Sequence, residues 1–290
     1  MTSASSSGVT YRQANEDDIA AQHAVFVSAE GELLGRHGFA WAAPPSADAV
    51  APTYRHLMRH DGDRCFVAEA DGRVVGYSAA FVRAEMWYLA ALFIDPSHQG
   101  IGVGRRLMEL AMVDAPERRA TISDAIQPVS NALYAKHGLF PVTPILPFRG
   151  PPKARLASGL TPSDVSPSAL AMLDQAAYGF DRSIDHVHWG TQAAPTLWLR
   201  GSEAVAYSYR WPSGRIGPLA GVDEAAAAAA LAAELMQPLS HVVQIPGTAT
   251  SLVRVAFEAG LELVAPPGLL LFSEGVSPPR SLAISSYGLY

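Results

Sequence analysis

The sequence predicts a mixed α/β protein made of two similar halves, each a central mixed β-sheet flanked by helices. Strand-like and helical segments alternate along all 290 residues, and a Pro- and Gly-rich passage interrupts them at residues 151–165. The order of elements before this passage recurs after it, and "VVGYS" and "LYAKHGLFPV" match "AVAYS" and "AFEAGLELV". We therefore assign a disordered tail to residues 1–8, a first domain to 9–150, a linker to 151–165 and a second domain to 166–290. A generic α/β rhythm without duplication is the alternative explanation.

Local signals place the elements of the first half. Asn15 precedes acidic residues at the start of a long helical segment, as is typical of an N-cap. Asp71-Gly72 joins two β-rich runs and predicts a hairpin. The run "EMWYLAALFI" is apolar throughout, which predicts a strand that is covered on both faces. Pro128 and Gly138 mark the two ends of a later helix, and "LFPVTPILPF" predicts a closing strand.

The second half shows the same kinds of signal. Ser166 and Pro167 begin a helix, and Gly201-Ser202 predicts a hairpin. The segments "RIGPLAG" and "HVVQIP" read as strands, and "DEAAAAAALAAELM" and "ATSLVRVAFEAG" read as helices. The segment "LELVAPPGLLLF" closes the half as an extended stretch.

The composition excludes several classes of protein. The net charge is −6, so no basic surface favours nucleic acid or anionic lipid as a partner. A single cysteine, Cys65, excludes an internal disulfide framework and favours a reducing compartment. The sequence has no apolar segment typical of a signal peptide or a membrane span. We therefore expect a cytoplasmic protein, a monomer or homodimer, without a nucleic-acid or membrane partner.

A glycine-rich turn follows the central strand of the first half. The stretch from Gln99 to Gly104 has glycine at three alternate positions, and Arg105 and Arg106 then open a helical pattern. Glycines at the start of a helix let an anion approach free N–H groups. A nucleotide P-loop would need Gly-Lys-Ser/Thr, and a dinucleotide fingerprint would need a third glycine further on, where Arg105 stands. The turn therefore predicts a diphosphate site of another kind.

The Q-x-x-G-x-G turn resembles the pyrophosphate loop of the GNAT N-acetyltransferase superfamily. Asn131 and Tyr134 lie three apart on a later helix, as an Asn and a Tyr do in that superfamily. The resemblance covers most of residues 9–150 and implies acetyl-CoA, or another acyl-CoA, as co-substrate, without a metal. The residues that it assigns to coenzyme binding are Leu92, Phe93, Ile94, Gln99, Gly100, Ile101, Gly102, Val103, Gly104, Arg105, Asn131 and Tyr134.

The resemblance also implies a mechanism, in which an amine attacks the thioester directly and Tyr134 protonates the departing thiolate. Many members carry a carboxylate in the middle of the central strand as general base, but Ala90 and Ala91 stand at those positions here. The general base is therefore left open, and Glu85 at the start of the strand and Asp124 on the next strand are two candidates for it. The acceptor is expected to be a small amine. A non-catalytic protein that binds acyl-CoA as a sensor or scaffold is the alternative function.

The second half resembles a degenerate copy of the same unit. Its segment "AGVDEAAAAAALAAELM" lacks the glycine triplet and has Asp223 and Glu224 at the start of the helix, where they would repel a phosphate. The position that matches Tyr134 is Ala256. We therefore expect a single coenzyme site, in the first half.

Overall fold

The structure, a computed structural model, describes residues 8–41 and 43–290. The tail predicted at residues 1–8 lies outside the described residues except for Gly8. The elements of the first half are β1 (Val9–Gln13), α1 (Ile19–Arg36), α2 (Ala47–Asp61), β2 (Cys65–Ala70), β3 (Arg73–Arg83), β4 (Met86–Ile94), α3 (Val103–Ala111), β5 (Arg118–Asp124), α4 (Pro128–Lys136) and β6 (Phe140–Gly150).

The second half continues with further strands and helices. They are β7 (Thr161–Ser163), α5 (Pro167–Ala177), α6 (Ser183–Gly190), β8 (Ala194–Arg200), β9 (Glu203–Arg210), β10 (Arg215–Gly221), α7 (Glu224–Glu234), β11 (His241–Pro246), α8 (Thr250–Glu258), β12 (Glu262–Leu263), β13 (Gly268–Phe272) and β14 (Leu282–Ala283). The short strand β7 falls inside the segment that we predicted as a linker. None of the helices that the structure describes combines the length and apolar character that crossing a bilayer requires.

Local chemistry explains where the elements begin and turn. Asn15 forms a capping box with Asp18 at the helical turn that leads into α1. Asp71 and Gly72 have φ angles of 50° and 73°, the left-handed conformation that a tight β2–β3 hairpin requires. Ser166 caps α5 by accepting a hydrogen bond from the N–H of Ala169. These boundaries confirm the turn and cap signals of the sequence.

The strands form one mixed sheet in the order β1-β2-β3-β4-β5-β13-β6-β11-β10-β9-β8-β7, with β12 on β6 and β14 on β10. The β4–β5 and β10–β11 pairs are parallel, and the other pairs are antiparallel. In the first half β13 lies between β5 and β6, and in the second half the end of β6 lies between β11 and β12. Each half thus contains a strand that comes from the other half, an arrangement that we call the strand exchange.

The hydrophobic core also runs across the two halves. Its largest cluster brings Leu57 and Tyr88 of the first half together with Trp189, Tyr207 and Leu282 of the second. A separate cluster packs α7 and α8 against β10 and β11. Because burial of apolar side chains is the main stabilising term in folding, the halves are held together by the same core that holds each of them.

A buried group of charged residues, which we call the charge cluster, joins the halves beside this core. Arg83 on β3 donates to both carboxylate oxygens of Asp61 on α2, at 3.0 Å each. It also donates to both oxygens of Asp185 on α6, at 3.0 and 2.8 Å. His56 of α2 contacts Asp185 through Nε2 at 2.7 Å. All four side chains are buried, so the charges of Arg83, Asp61 and Asp185 depend on their partners rather than on water.

Candidate active site

The candidate site lies where β4 and β5 separate. The two strands are paired only through their first residues, and the last pair is Leu89 with Thr121, whose Oγ1 donates to the Leu89 carbonyl at 2.9 Å. Beyond that point β4 continues to Ile94 and β5 to Asp124. Ala90 is an extra residue in the β3–β4 ladder, a bulge that re-aims the end of β4. A gap therefore opens between the carboxyl ends of two neighbouring parallel strands.

The edge of β4 that faces this gap carries free main-chain groups. The N–H of Asp95 donates to the Val75 carbonyl of β3 at 2.8 Å. Since main-chain groups alternate in direction along a strand, the N–H groups of Leu92 and Ile94 point away from β3, into the gap. The main chain of Phe93 instead faces β3. The gap thus offers the hydrogen-bonding edge that an extended, amide-containing chain would need.

The glycine-rich turn closes one end of the gap. Gly100 and Gly102 have φ angles of 79° and 95°, and Gly102 is the N-cap of α3. Other residues adopt this conformation only with strain, so the turn itself requires glycine at these two positions. In the part of the chain that the structure describes, no hydrogen bond engages the N–H groups of residues 100–105. Together with the positive end of the helix dipole, these donors fit an anionic group such as a diphosphate.

The polar side chains at the turn have different roles. Gln99 donates from Nε2 to the carbonyl of Ile94 at 3.0 Å, so it holds the turn against the end of β4. The side chain of Arg105 is 70% exposed and lies 3.9 Å from Glu109, which leaves the guanidinium able to swing toward a ligand. At Gly104 a Cβ would meet Ile94 at an ordinary contact distance of 3.5 Å. The third glycine is therefore compatible with alanine.

Tyr134 reaches the gap from α4 and is 5% exposed. Burial raises the pKa of Tyr134 above that of a free tyrosine; the negative charge of Asp124 adds to this shift and the Ser130 hydroxyl opposes it. The phenol therefore keeps its proton at neutral pH. A neutral phenol in this position is a proton donor rather than a base.

Two carboxyl groups also line the gap. Burial raises the pKa of Asp124, at the end of β5, to about 6. Burial raises the pKa of Glu30, on α1, to about 7, and the negative charge of Asp124 contributes to that shift. Two like charges in a water-poor site resist joint ionisation, so the pair titrates as a unit near neutrality.

These features surround one cleft of about 650 Å³. Most of the residues predicted from the sequence line it, namely Leu92, Phe93, Ile94, Gln99, Gly100, Ile101, Gly102, Gly104, Arg105, Asp124 and Tyr134. Val103 is absent from the lining because its side chain is buried at the start of α3. The cleft is large enough for an extended ligand and a small second molecule.

Two other predicted residues lie away from the cleft. Asn131 donates from Nδ2 to the main-chain oxygen of Asp124 at 3.2 Å, so it fixes the end of β5 instead of lining the cleft. Glu85 lies in the tight turn between β3 and β4 and is exposed. Of the two carboxylates that the sequence offered as a general base, only Asp124 lies at the gap.

The lining also contains residues that the sequence analysis did not name, and Glu30 and Tyr287 are the two that matter most for the chemistry of the cleft. Glu30 interrupts the inward-facing stripe of α1 that contains Val25 and Leu33, and a carboxylate on such a stripe was an available signal. Tyr287 follows β14, and its hydroxyl lies against Gly268 of β13. No local pattern could have placed Tyr287 here, because it reaches the cleft from the segment after β14, which is far from β4 and β5 in the sequence.

The corresponding helix start in the second half is closed by its own side chains. Asp223 caps α7 and accepts from the N–H of Ala226 at 2.7 Å. Glu224 accepts from the N–H of Ser251 at 2.7 Å, at the start of α8. Carboxylates thus occupy the positions where an anion would bind.

Comparisons with known proteins agree with this geometry. Residues 30–139 match the model of the acetyltransferase (GNAT) family. An uncharacterized N-acetyltransferase from Archaeoglobus fulgidus is 29% identical over 120 residues, which are 39% of this chain and 78% of that protein. The matched segment contains β4, the glycine-rich turn and Tyr134.

Solved structures extend the likeness to the whole chain. A candidate acetyltransferase from Pyrococcus horikoshii has a TM-score of 0.77 at 17% identity, covering 98% of this chain and 96% of that one. A GCN5-related N-acetyltransferase from Sphaerobacter thermophilus has a TM-score of 0.62 at 16% identity, covering 96% and 98%. At such identities the likeness concerns the fold. The family model, the curated relative and the shared fold together support a GNAT-type acetyltransferase, a kind of enzyme that uses acetyl-CoA.

Proposed function

We propose that the protein transfers an acyl group from acetyl-CoA, or another acyl-CoA, to the primary amine of a small molecule in the cleft between β4 and β5. The observation that carries the proposal is the convergence of the glycine-rich turn, the free edge of β4 and the buried phenol of Tyr134 on one cleft. An anion site, an amide-pairing edge and a proton donor are the three features that a CoA thioester and its departing thiolate require.

Different residues bind different parts of the acyl-CoA. The free N–H groups of residues 100–105 hold the diphosphate, and Arg105 adds a charged donor. The N–H of Leu92 pairs with a pantetheine amide. The N–H of Ile94 polarises the thioester carbonyl, because it points into the gap, whereas the main chain of Phe93 faces β3.

The remaining residues move protons. Asp124 takes the proton of the incoming amine, because its carboxyl lies at the gap and titrates near neutrality. The nitrogen then attacks the thioester carbon, the carbon–sulfur bond breaks, and Tyr134 donates its proton to the sulfur. The phenolate of Tyr134 is reprotonated by the second proton that the nitrogen loses as it becomes the amide. The exposed Glu85 has no place in this scheme.

We also propose that residues 166–290 are a degenerate copy of the first unit without a coenzyme site of their own. The carboxylates at the start of α7 and the buried Ala256 in place of Tyr134 support this. The second half still acts on the site, because β13 pairs with β5 beside Asp124 and Tyr287 lines the cleft.

A non-catalytic acyl-CoA sensor is the second candidate function. The observation that favours it is the pair of alanines, Ala90 and Ala91, in the middle of β4. With them the site lacks a carboxylate on the central strand. Turnover with any amine separates the two functions.

The experiment begins with titration calorimetry of acetyl-CoA into the wild type, Gly102→Glu and Gly72→Glu. Gly72 is the matched control, since it also has a positive φ, 73°, but lies in the exposed β2–β3 hairpin. We expect binding by the wild type and the control and none by Gly102→Glu. Failure of the wild type to bind would exclude both functions.

Release of free thiol is then followed with a panel of amines, for the wild type and for Tyr134→Phe. Release that depends on an amine and falls in Tyr134→Phe supports the transferase. Binding without release across the panel favours the sensor.

A further inference from the structure

The second carboxylate of the cleft, Glu30, takes no part in the proposed transfer of the acyl group. It projects from α1 into the cleft beside Ala29 and Leu33, and its carboxyl is close enough to Asp124 for the two charges to interact. The two groups come from different elements, a helix and the end of a strand. Their juxtaposition is therefore a product of the tertiary fold.

The pair lacks a cation among the residues that the structure describes. Neither Glu30 nor Asp124 takes part in a salt bridge, although thirteen such contacts occur elsewhere. The basic residues of the lining, Arg105 and Lys136, do not interact with either carboxyl strongly enough to lower its pKa. Burying carboxylates without a counter-charge is costly, and a ligand that brings a positive charge would remove that cost.

The lining also contains two phenols, besides the basic Arg105 and Lys136. Tyr134 reaches the cleft from α4, and Tyr287 reaches it from the segment after β14. Burial raises the pKa of Tyr287, and the charges of Asp124 and Glu30 add to the shift. Both phenols are therefore neutral when the carboxyls titrate, and they add no charge to the pair.

We propose that Glu30 and Asp124 together form the acceptor subsite, and that the acceptor is a small cationic amine with no carboxylate next to its amino group. This inference rests on the proposed transferase function. The pair binds the ammonium ion, and one carboxylate takes a proton from it, so that R–NH₃⁺ becomes R–NH₂ and the carboxylate becomes a carboxylic acid. An α-amino acid would place its own carboxylate against the pair and be rejected.

The first test measures binding of the acceptor without turnover. Pentylamine and norleucine differ by one carboxylate, and each is titrated into the protein saturated with CoA. We expect pentylamine to bind and norleucine to bind at least tenfold more weakly. Glu30→Gln should weaken pentylamine binding at least tenfold, whereas Glu32→Gln, on the exposed face of the same helix, should leave it unchanged. Equal binding of the two probes, or unchanged binding by Glu30→Gln, would overturn the subsite.

The second test uses the pH dependence of kcat/KM for pentylamine. The base must be ionised to work, so the rate should rise with pH through the titration of the pair, between about pH 6 and pH 7. Glu30→Gln removes the carboxyl that ionises last, near pH 7, so the limb should then follow Asp124 alone and move to about pH 6.

The outcomes distinguish a failure of the acceptor subsite from a failure of the proposed transferase function. An unmoved pH limb in Glu30→Gln would contradict the shared titration, even if that variant had a higher KM. Loss of acetyl-CoA binding by the wild type would instead refute the proposed function. Acetyl-CoA affinity should be the same in Glu30→Gln and the wild type.

Discussion

Replacing Arg83 with Met removes the only guanidinium of the described charge cluster and keeps most of the aliphatic volume. Arg83 is 5% exposed and donates to two carboxylates, Asp61 in the first half and Asp185 in the second. After the substitution, Asp185 retains its contact with His56, and Asp61 retains the N–H of Val82. Two buried carboxylates would then have lost their main counter-charge.

The size of the effect follows from this loss. Removing one partner of a buried ion pair costs about 3–5 kcal/mol, because the other charge stays buried without compensation. Protonation of Asp61 limits the cost, since burial already raises the pKa of this carboxyl. Burial would also raise the pKa of Asp185, but hydrogen bonds from His56 and Arg83 hold it well below its usual range. We therefore expect Arg83→Met to lower the free energy of unfolding by about 3–5 kcal/mol at pH 7.

Urea unfolding followed by tryptophan fluorescence measures this free energy. The matched control is Arg55→Met, because Arg55 forms an exposed ion pair with Glu16 at 3.1 Å, and its loss should cost less than about 1 kcal/mol. The stabilisation from the depressed pKa of Asp185 is complete above the unfolded value, about 3.9, and is lost as the pH falls from that value toward the lower folded one. The deficit of Arg83→Met should therefore shrink as the pH falls below about 4. A loss below about 1 kcal/mol at pH 7, or a deficit that grows with acid, would refute the reasoning.

Three further outcomes are expected. Gly268→Ala should lower the free energy of unfolding, measured by thermal unfolding, by about 1–3 kcal/mol, because the new Cβ would clash with the hydroxyl of Tyr287. The control is Gly35→Ala in α1, whose Cβ would meet no atom within 4 Å, so this variant should be as stable as the wild type or more stable. Native Cys65 should resist thiol reagents until the protein unfolds, since burial raises the pKa of its thiol to about 12; fast labelling without denaturant would contradict this. Asp223→Ala should cost about 0.5–2 kcal/mol by removing the cap of α7, which denaturant unfolding can measure; no loss would mean that the cap is unimportant.

Much of the candidate site could be predicted because its signals are local. The glycine-rich turn at residues 99–104 needs left-handed backbone and free N–H groups. Both requirements are met by a few consecutive residues, so they can be recognised in the sequence. Tyr134 lies on a helix whose ends are marked by Pro128 and Gly138. Signals of this kind depend on neighbouring residues in the chain, so they can be recognised without knowing the tertiary structure.

The rest of the site depends on residues that are far apart in the chain. Asp124 was one of two equal possibilities for the base, and only the separation of β4 from β5 distinguishes it from Glu85. Glu30 joins Asp124 because α1 packs across the gap, and Tyr287 joins them because β13 pairs with β5. Long-range pairings of this kind leave no periodicity in the sequence. The division of the chain at residues 151–165 stays a prediction.

The strand exchange has a consequence for the order in which the protein can be made. A ribosome releases β5 and β6 long before it releases residues 268–272, the strand that will lie between them. Until then the nascent first half has two strand edges without partners, which are the edges that promote aggregation. The native pairing of β13 with β5 and β6 thus awaits the synthesis of residues 268–272, and molecular chaperones that shield nascent chains should act on this protein until then.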